Sequence, residues 1–234
     1  MKKLSIVIPI YNEKNTIREI IKHVERVNLP LEKELILVDD YSTDGTRAML
    51  KAYEKKYTVL YHPHNQGKGA ALRTGFGHAT GDVITIQDAD LEYNPQDYTI
   101  LLNALRHTRG HVIYGSRFMS NNFGSHQKWF LPSHYIGNKI LSTITSFLYF
   151  RRITDMETCY KLFTRTALER ILPTLRAQRF DFEPEITAKF IKAGFKIREV
   201  PISYNPRSFT HGKKITWKDG LKAAFYLLKY RFTD

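Results

Sequence analysis

A single cysteine, Cys159, is the only thiol in the chain. It excludes an intrachain disulfide framework and any Cys-rich zinc site, and fits a reducing compartment. Long apolar runs are missing too. No stretch reaches the roughly 20 residues that span a bilayer; the longest candidate, 141–150, falls short and carries hydroxyls. The apolar residues after Met1-Lys2-Lys3 are too few for a signal-peptide core and lack a small-residue cleavage site. These absences predict a cytoplasmic protein that at most lies on a membrane. Acids are scarce: 23 Asp and Glu against 36 Lys and Arg leave a formal charge of +13. That surplus favours polyanionic partners, whether nucleic acid, an anionic membrane face or phosphorylated small molecules.

Several catalytic signatures are also lacking. Gly67 and Gly69 open a glycine-rich turn, but Leu72 breaks the G-x-G-x-x-G dinucleotide pattern, and no Walker sequence occurs. The nine histidines form no H-E-x-x-H, and no serine sits in a G-x-S-x-G elbow. Hydride transfer of that type, P-loop ATP hydrolysis and serine-nucleophile hydrolysis lose their support.

What is present is a rhythm of short β-rich runs and helical patterns, the mark of a mostly parallel α/β sheet flanked by helices. Strands are expected over 5–10, 34–38, 58–61, 83–87 and 112–115. Helices are expected from 16, where Thr16-x-x-Glu19 reads as a capping box, from 46, and over 69–79 and 95–107. After Arg117 comes an aperiodic polar and aromatic stretch over 120–133. A helix over 134–150, a strand over 159–164, a helix over 183–193, a strand over 197–204 and an amphipathic tail over 216–232 follow. In that tail Trp217, Leu221, Ala224, Phe225, Leu228 and Phe232 share one stripe, with Lys218, Lys222 and Lys229 opposite. The expectation is one domain over 1–234, with a nucleotide-sugar-binding half over 1–118 and an acceptor half over 119–234.

Ligands of open parallel sheets sit beyond the carboxyl ends of the strands. Here those ends carry Tyr11-Asn12-Glu13, Asp39-Asp40, Lys68 after the third strand, and Asp88-Ala89-Asp90-Leu91-Glu92. An Asp-x-Asp pair lets two hard oxygen ligands approach one Mg2+ or Mn2+ that also bridges a diphosphate; Asp88, Asp90 and Glu92 are the expected metal set. An isolated Asp-x-Asp arises easily by chance, so its position after a buried strand carries the reading. Asp39-Asp40 also suits a helix cap or a surface pair, and Tyr11 and Glu13 also suit packing and a solvated first turn.

Taken together, 7–13, 38–46, 65–69 and 87–90 resemble the GT-A family 2 glycosyltransferases, in the branch that glycosylates dolichyl and polyprenyl phosphates. Tyr114-Gly115-Ser116-Arg117, Asp155-Met156-Glu157-Thr158-Cys159-Tyr160-Lys161, Phe182-Glu183-x-Glu185, and Tyr204-x-x-Arg207 through Gly212-Lys213-Lys214-Ile215 extend the likeness over almost the whole chain. The resemblance implies a GT-A fold and an inverting transferase. It would move mannose or glucose from GDP-mannose or UDP-glucose, with a divalent metal, to a lipid phosphate. It places Pro9, Tyr11, Glu13, Asp40, Lys68 and Asp88 on the donor nucleotide, and Asp90, Arg117 and Asp155 at the reaction centre. It places Arg117, Arg207, Lys213 and Lys214 on the acceptor phosphate. Relatives often carry Gln where Glu92 stands. They commonly carry an arginine before the helix that starts at His134, where Lys128 and His134 are the nearest bases here.

A phosphate acceptor needs no general base, because its second pKa of about 6 leaves it mostly dianionic; it needs cations instead. From Lys196 onward nine Lys or Arg face three acids. A sugar-hydroxyl acceptor stays open, with Asp155, Asp181, Glu157 and Glu183 as candidate bases. A sugar nucleotidyltransferase would carry a Gly-x-Gly-Thr-Arg-type turn where Tyr11-Asn12-Glu13 stands. A nucleic-acid binder would not place acids at three strand ends. The expected partners are therefore a nucleotide sugar, a lipid phosphate and the cytoplasmic face of a membrane, with room for a membrane-anchoring partner protein.

Overall fold

The computed structural model describes residues 1–119, 132–179, 181–206 and 217–233, without the side chains of 132–134, 217–219 and 221. Seven strands form one sheet: β1 (Lys3–Ile10), β2 (Glu32–Asp39), β3 (Thr58–Tyr61), β4 (Val83–Ile86), β5 (Val112–Ser116), β6 (Lys161–Thr164) and β7 (Ile197–Pro201). Their order across the sheet is β3-β2-β1-β4-β6-β5-β7. β1 pairs in parallel with β2 and β4, β2 with β3, and β5 with β7. β6 is the exception, running antiparallel to both β4 and β5. Central β1, buried from Leu4 onward, reads as a continuous apolar run because both faces are covered. β3 and β7, at the two edges, keep partial exposure along their length.

The helices are α1 (Ile17–Arg26), α2 (Thr46–Leu50), α3 (Lys68–His78), α4 (Tyr98–Thr108), α5 (Pro132–Tyr149), α6 (Arg165–Ile171), α7 (Phe182–Lys192) and α8 (Trp217–Phe232). α1 buries Ile17, Ile20, Ile21 and Val24, the spacing that predicted it. Its start differs from the expected capping box. Thr16 makes no side-chain cap bond; its hydroxyl donates to the Glu13 carboxylate at 2.7 Å instead. Short α6 was not anticipated. It begins directly from β6, with Thr164 as its cap, accepting from the Ala167 amide at 3.3 Å.

Most buried residues form one core around the sheet. A second apolar cluster joins α5, α7 and α8 through Leu141, Tyr149, Met156, Ala188, Ala223, Leu227 and Tyr230. The tail stripe read from the sequence faces outward, and a second apolar arc of α8 supplies the packing. Ala223, Leu227 and Tyr230 pack inward, while Phe225, Leu228 and Phe232 are exposed. Lys222 and Lys229 are exposed beside that outward stripe rather than opposite it. Among the described residues no helix is long and apolar enough to cross a membrane.

Candidate functional site

The carboxyl ends of β1, β2 and β4 meet along one rim, and the loops that leave them are sewn to one another. After β1, Asn12 turns into the left-handed region with φ 55°, which an Asn tolerates because its side chain can bond locally. Its backbone N–H donates to the Ser42 hydroxyl at 2.9 Å and its carbonyl Oδ1 accepts from the Thr43 N–H at 2.8 Å. The Glu13 N–H donates to Thr46 Oγ1 at 3.0 Å. Tyr11 stands on this loop with its ring exposed.

The neighbouring acids after β2 divide their tasks. Asp39 is fully buried and accepts from Arg47 Nε at 2.8 Å. The same guanidinium lies 5.6 Å from the Tyr41 ring centroid and 5.0 Å from that of Tyr61. Asp40, only 2% exposed, accepts from the N–H groups of Gln66 and Gly67 at 2.8 and 2.7 Å and bonds His62 Nδ1 at 2.7 Å. Its carboxylate thus shapes the 65–69 turn from beneath and is turned away from solvent.

That turn explains its glycines. A Cβ on Gly67, whose φ is 95°, would stand 2.4 Å from the Gln178 carbonyl, and one on Gly69 would stand 2.7 Å from that of Ala177. The 177–178 backbone crosses the start of α3 closely enough for the Ala70 N–H to donate to Gln178 at 3.0 Å. Close packing sets these glycines, rather than a dinucleotide phosphate fingerprint.

From the first residue of α3, Lys68 reaches Asp88 Oδ1 and Glu183 Oε1, each at 3.0 Å. Burial alone would lower its pKa, but the Asp88 and Glu183 carboxylates outweigh that and hold the ammonium well above its usual range. Asp88 and Asp90 both stay half-buried at the end of β4. Beneath them the side-chain Oε1 of fully buried Gln87 accepts from the hydroxyls of Tyr98 and Tyr160. The loop then doubles back: Asp90 Oδ1 accepts from the Glu92 N–H at 3.1 Å, and Leu91 takes φ 63°. Glu92 accepts the Tyr204 hydroxyl at 2.6 Å. Asp88, Asp90 and Glu92 form no three-ligand cluster, and no group of three or more His, Cys, Asp and Glu suited to a metal occurs among the described residues.

At the end of β5, Arg117 is 7% exposed and held by Asp155 through three bonds. Nε donates to Oδ2 and Nη2 to Oδ1, each at 2.7 Å, and the backbone N–H donates to Oδ2 at 2.9 Å. The guanidinium lies 5.1 Å from the Tyr204 ring centroid. Glu199 on β7 fixes the Asp155 turn, accepting from the Thr154 and Asp155 N–H groups at 2.8 and 2.9 Å. Neither Glu199 nor Gln87 announces its role in the sequence; Glu199 follows Arg198 on an edge strand, Gln87 follows the apolar run of β4, and only the fold reveals the partners each finds.

Between these groups lies a buried charge cluster. Glu157 is pushed up to about 7, first by burial and then by the Glu183 carboxylate nearby. Glu157 Oε1 and Glu183 Oε2 are buried without a hydrogen-bond partner. Lys161, fully buried, donates to the Thr158 carbonyl, and burial lowers its pKa. Pro9 is the buried penultimate residue of β1, below the rim. Arg207, Lys213 and Lys214 lie outside the described residues.

The family profile described as Glycosyl transferase family 2 matches residues 5–172. The chain is 27% identical to a dolichyl-phosphate beta-glucosyltransferase, ALG5D, of Trichomonas vaginalis, across 97% of this chain and 72% of that protein. Against the dolichyl-phosphate beta-glucosyltransferase of Saccharomyces cerevisiae it is 29% identical, across 86% of this chain and 66% of that one. Among solved structures it resembles the glucosyl-3-phosphoglycerate synthase of Mycobacterium tuberculosis, crystallised with Mn2+, UDP and phosphoglyceric acid. The TM-score is 0.72 at 18% identity, covering 100% of this chain and 80% of that one. The sheet and its helices are therefore a GT-A arrangement.

Proposed function

Because the chain belongs to glycosyl transferase family 2, we propose that it moves a hexose from a nucleoside-diphosphate sugar to a dolichyl or polyprenyl phosphate. The observation that carries the reading is the buried Arg117, fixed by Asp155 with its guanidinium beside Tyr204. A fixed guanidinium suits a phosphate oxygen, and charge-assisted bonds of this kind are about twice as strong as neutral ones. Relatives that are dolichyl-phosphate glucosyltransferases along most of the chain support the same acceptor and favour glucose, with UDP-glucose as the first donor to try and GDP-mannose the second.

In the reaction a phosphate oxygen of the lipid attacks the anomeric carbon, the bond from that carbon to the donor diphosphate breaks, and configuration inverts. The acceptor dianion carries its own nucleophile, so no proton has to be removed. Arg117, with Arg207, Lys213 and Lys214 as further cations, draws the acceptor phosphate in against repulsion from the donor. Asp155 acts through Arg117 as a positioning residue. Pro9, Tyr11 and Glu13 line the nucleoside side, and Asp40 holds the 65–69 turn that carries Lys68. The hard carboxylate oxygens of Asp88 and Asp90 suit Mg2+ or Mn2+, and Glu92, turned onto Tyr204, supports their loop. Such an ion, when bound, neutralises the departing diphosphate. Residues 1–118 serve the donor and 119–234 the acceptor, at the cytoplasmic surface of a membrane, with a separate anchoring protein as an allowed partner.

Glu157 favours the second reading, a sugar-hydroxyl acceptor, because a carboxyl near 7 is suited to take a proton at neutral pH. One assay separates the two. The chain is incubated with UDP-glucose or GDP-mannose, Mn2+ or Mg2+, and either a polyprenyl phosphate or a sugar acceptor. Formation of a lipid-phosphate sugar with release of nucleoside diphosphate is expected. Transfer only to a hydroxyl, or release of inorganic pyrophosphate, would refute the proposal.

A further inference from the structure

We propose that His62 is a positioning residue of the donor site: its imidazole holds Asp40 against the 65–69 turn and thereby sets where Lys68 stands. The inference rests on the nucleotide-sugar reading above and adds a residue that acts on the donor without touching it.

His62 directly follows β3 and is 5% exposed. Its backbone and ring groups are all engaged, each by a different residue. The N–H donates to the Asp39 carbonyl at 2.9 Å, and the His62 carbonyl accepts from Arg47 Nη2 at 2.6 Å. Nδ1 lies 2.7 Å from Asp40 Oδ1, and Nε2 lies 3.0 Å from Thr74 Oγ1. The Asp40 oxygens already accept the Gln66 and Gly67 N–H groups. A carboxylate offers only acceptors, so Nδ1 carries the proton and donates. In the neutral ring Nε2 then accepts from the Thr74 hydroxyl. With both ring nitrogens taken inside the protein, His62 works through its neighbours and not on a ligand.

Those neighbours place Lys68. The two N–H groups that Asp40 holds belong to the residues immediately before it, and Gly67, with φ 95°, is the turn from which α3 departs. Thr74 lies further along the same helix. One imidazole therefore ties both the entry to α3 and its body to the end of β2. Lys68 spans Asp88 and Glu183 at 3.0 Å each from the first residue of that helix, so a shift of the turn is carried straight to its ammonium. A misplacement of about 1 Å costs about a hundredfold in rate. Docking of α3 does not depend on these bonds. Gly75 packs so close to β1 that an added Cβ would meet Val7 Cγ1 at 2.3 Å, and Ala71, Leu72 and Phe76 are buried in the main core. Apolar packing holds the helix on the sheet; the His62 bonds set how it meets the rim.

The test compares His62→Gln with His62→Asn in the whole chain. An asparagine amide nitrogen takes the place of Nδ1 and keeps the bond to Asp40. A glutamine amide takes that of Nε2 and keeps only Thr74. Each variant loses one buried bond, so both should melt below the wild type by similar amounts. Amide hydrogen exchange at Gln66 and Gly67 should quicken about tenfold in His62→Gln and stay near wild type in His62→Asn. UDP and GDP are then titrated in Mn2+. His62→Gln should bind the nucleotide that the wild type prefers about tenfold or more weakly, with His62→Asn within about threefold of wild type. Equal losses of affinity in the two variants would overturn the proposal, because lost stability alone gives that result. So would unchanged exchange or unchanged affinity in His62→Gln. Should that chain fail to fold, an affinity loss of about tenfold in folded His62→Asn would overturn it too. In each of these cases sugar transfer by the wild type leaves the proposed function standing. A wild type that binds neither nucleotide and transfers no sugar would bring down the donor reading, and this role with it.

Discussion

Replacing Asp155 by Asn tests whether the Arg117 pair is held together for a purpose other than stability. Asp155 Oδ2 accepts two N–H groups of Arg117 and Oδ1 accepts a third. Whichever way an asparagine amide is turned, its NH2 opposes at least one of those donors, and the guanidinium is left buried without its counter-charge. Removing one partner of a buried pair costs about 3–5 kcal/mol. For a chain of this length, each kcal/mol moves the melting temperature by about 2–4 °C, so a fall of about 6–20 °C is expected. Thermal and urea unfolding measure it. The double variant Arg117→Met with Asp155→Leu removes both charges and should recover most of that loss, because a buried ion pair rarely outperforms a well-packed apolar one. It should recover no transfer to lipid phosphate. A double variant as active as the wild type would refute the placement of Arg117 at the acceptor. An Asp155→Asn protein melting within about 2 °C of wild type would refute the claim that the pair is sequestered from water.

Three further outcomes are expected. Asp90→Asn keeps an acceptor for the Glu92 N–H, so it should fold normally, shown by an unchanged circular dichroism melt, yet lose measurable sugar transfer. Gly75→Ala sets a Cβ 2.3 Å from Val7 Cγ1, forcing α3 off β1 at a cost of about 1–3 kcal/mol, read as a lower urea midpoint. Glu157 has its folded pKa raised from 4.5 to about 7. The folded chain therefore holds a proton that the unfolded chain has released, and stability should fall as pH rises through 4.5 to 7. Glu157→Gln should flatten that slope in melts taken across the window; an unchanged slope would show that the proton resides elsewhere.

Much of this could be read in the sequence because the parallel strands bury both faces. The near-continuous apolar runs of β1 and β4 left little choice of element, and Asp39-Asp40 and Asp88-x-Asp90 stand where such strands must end. Periodicity alone could not say which side of the tail faces inward. Both arcs of α8 are apolar, and the inner one is chosen by Tyr149 and the second cluster, far away in sequence. Asp40 illustrates the same limit. Its position at a strand end was plain, but its burial under Gln66 and Gly67 depends on a turn more than twenty residues later. The bond that ties Glu92 to Tyr204 likewise depends on a hydroxyl contributed by the far half of the chain.

β6 lies between β4 and β5 and runs against both. Its residues come from the second half of the chain, while both neighbours come from the first. The second half of the chain is therefore no detachable module hung on a finished sheet. A truncation after residue 118 would strip β5 of both its neighbours and leave β4 an open edge. Any chimera that imports another second half must bring a replacement strand of matching register through the middle of its host.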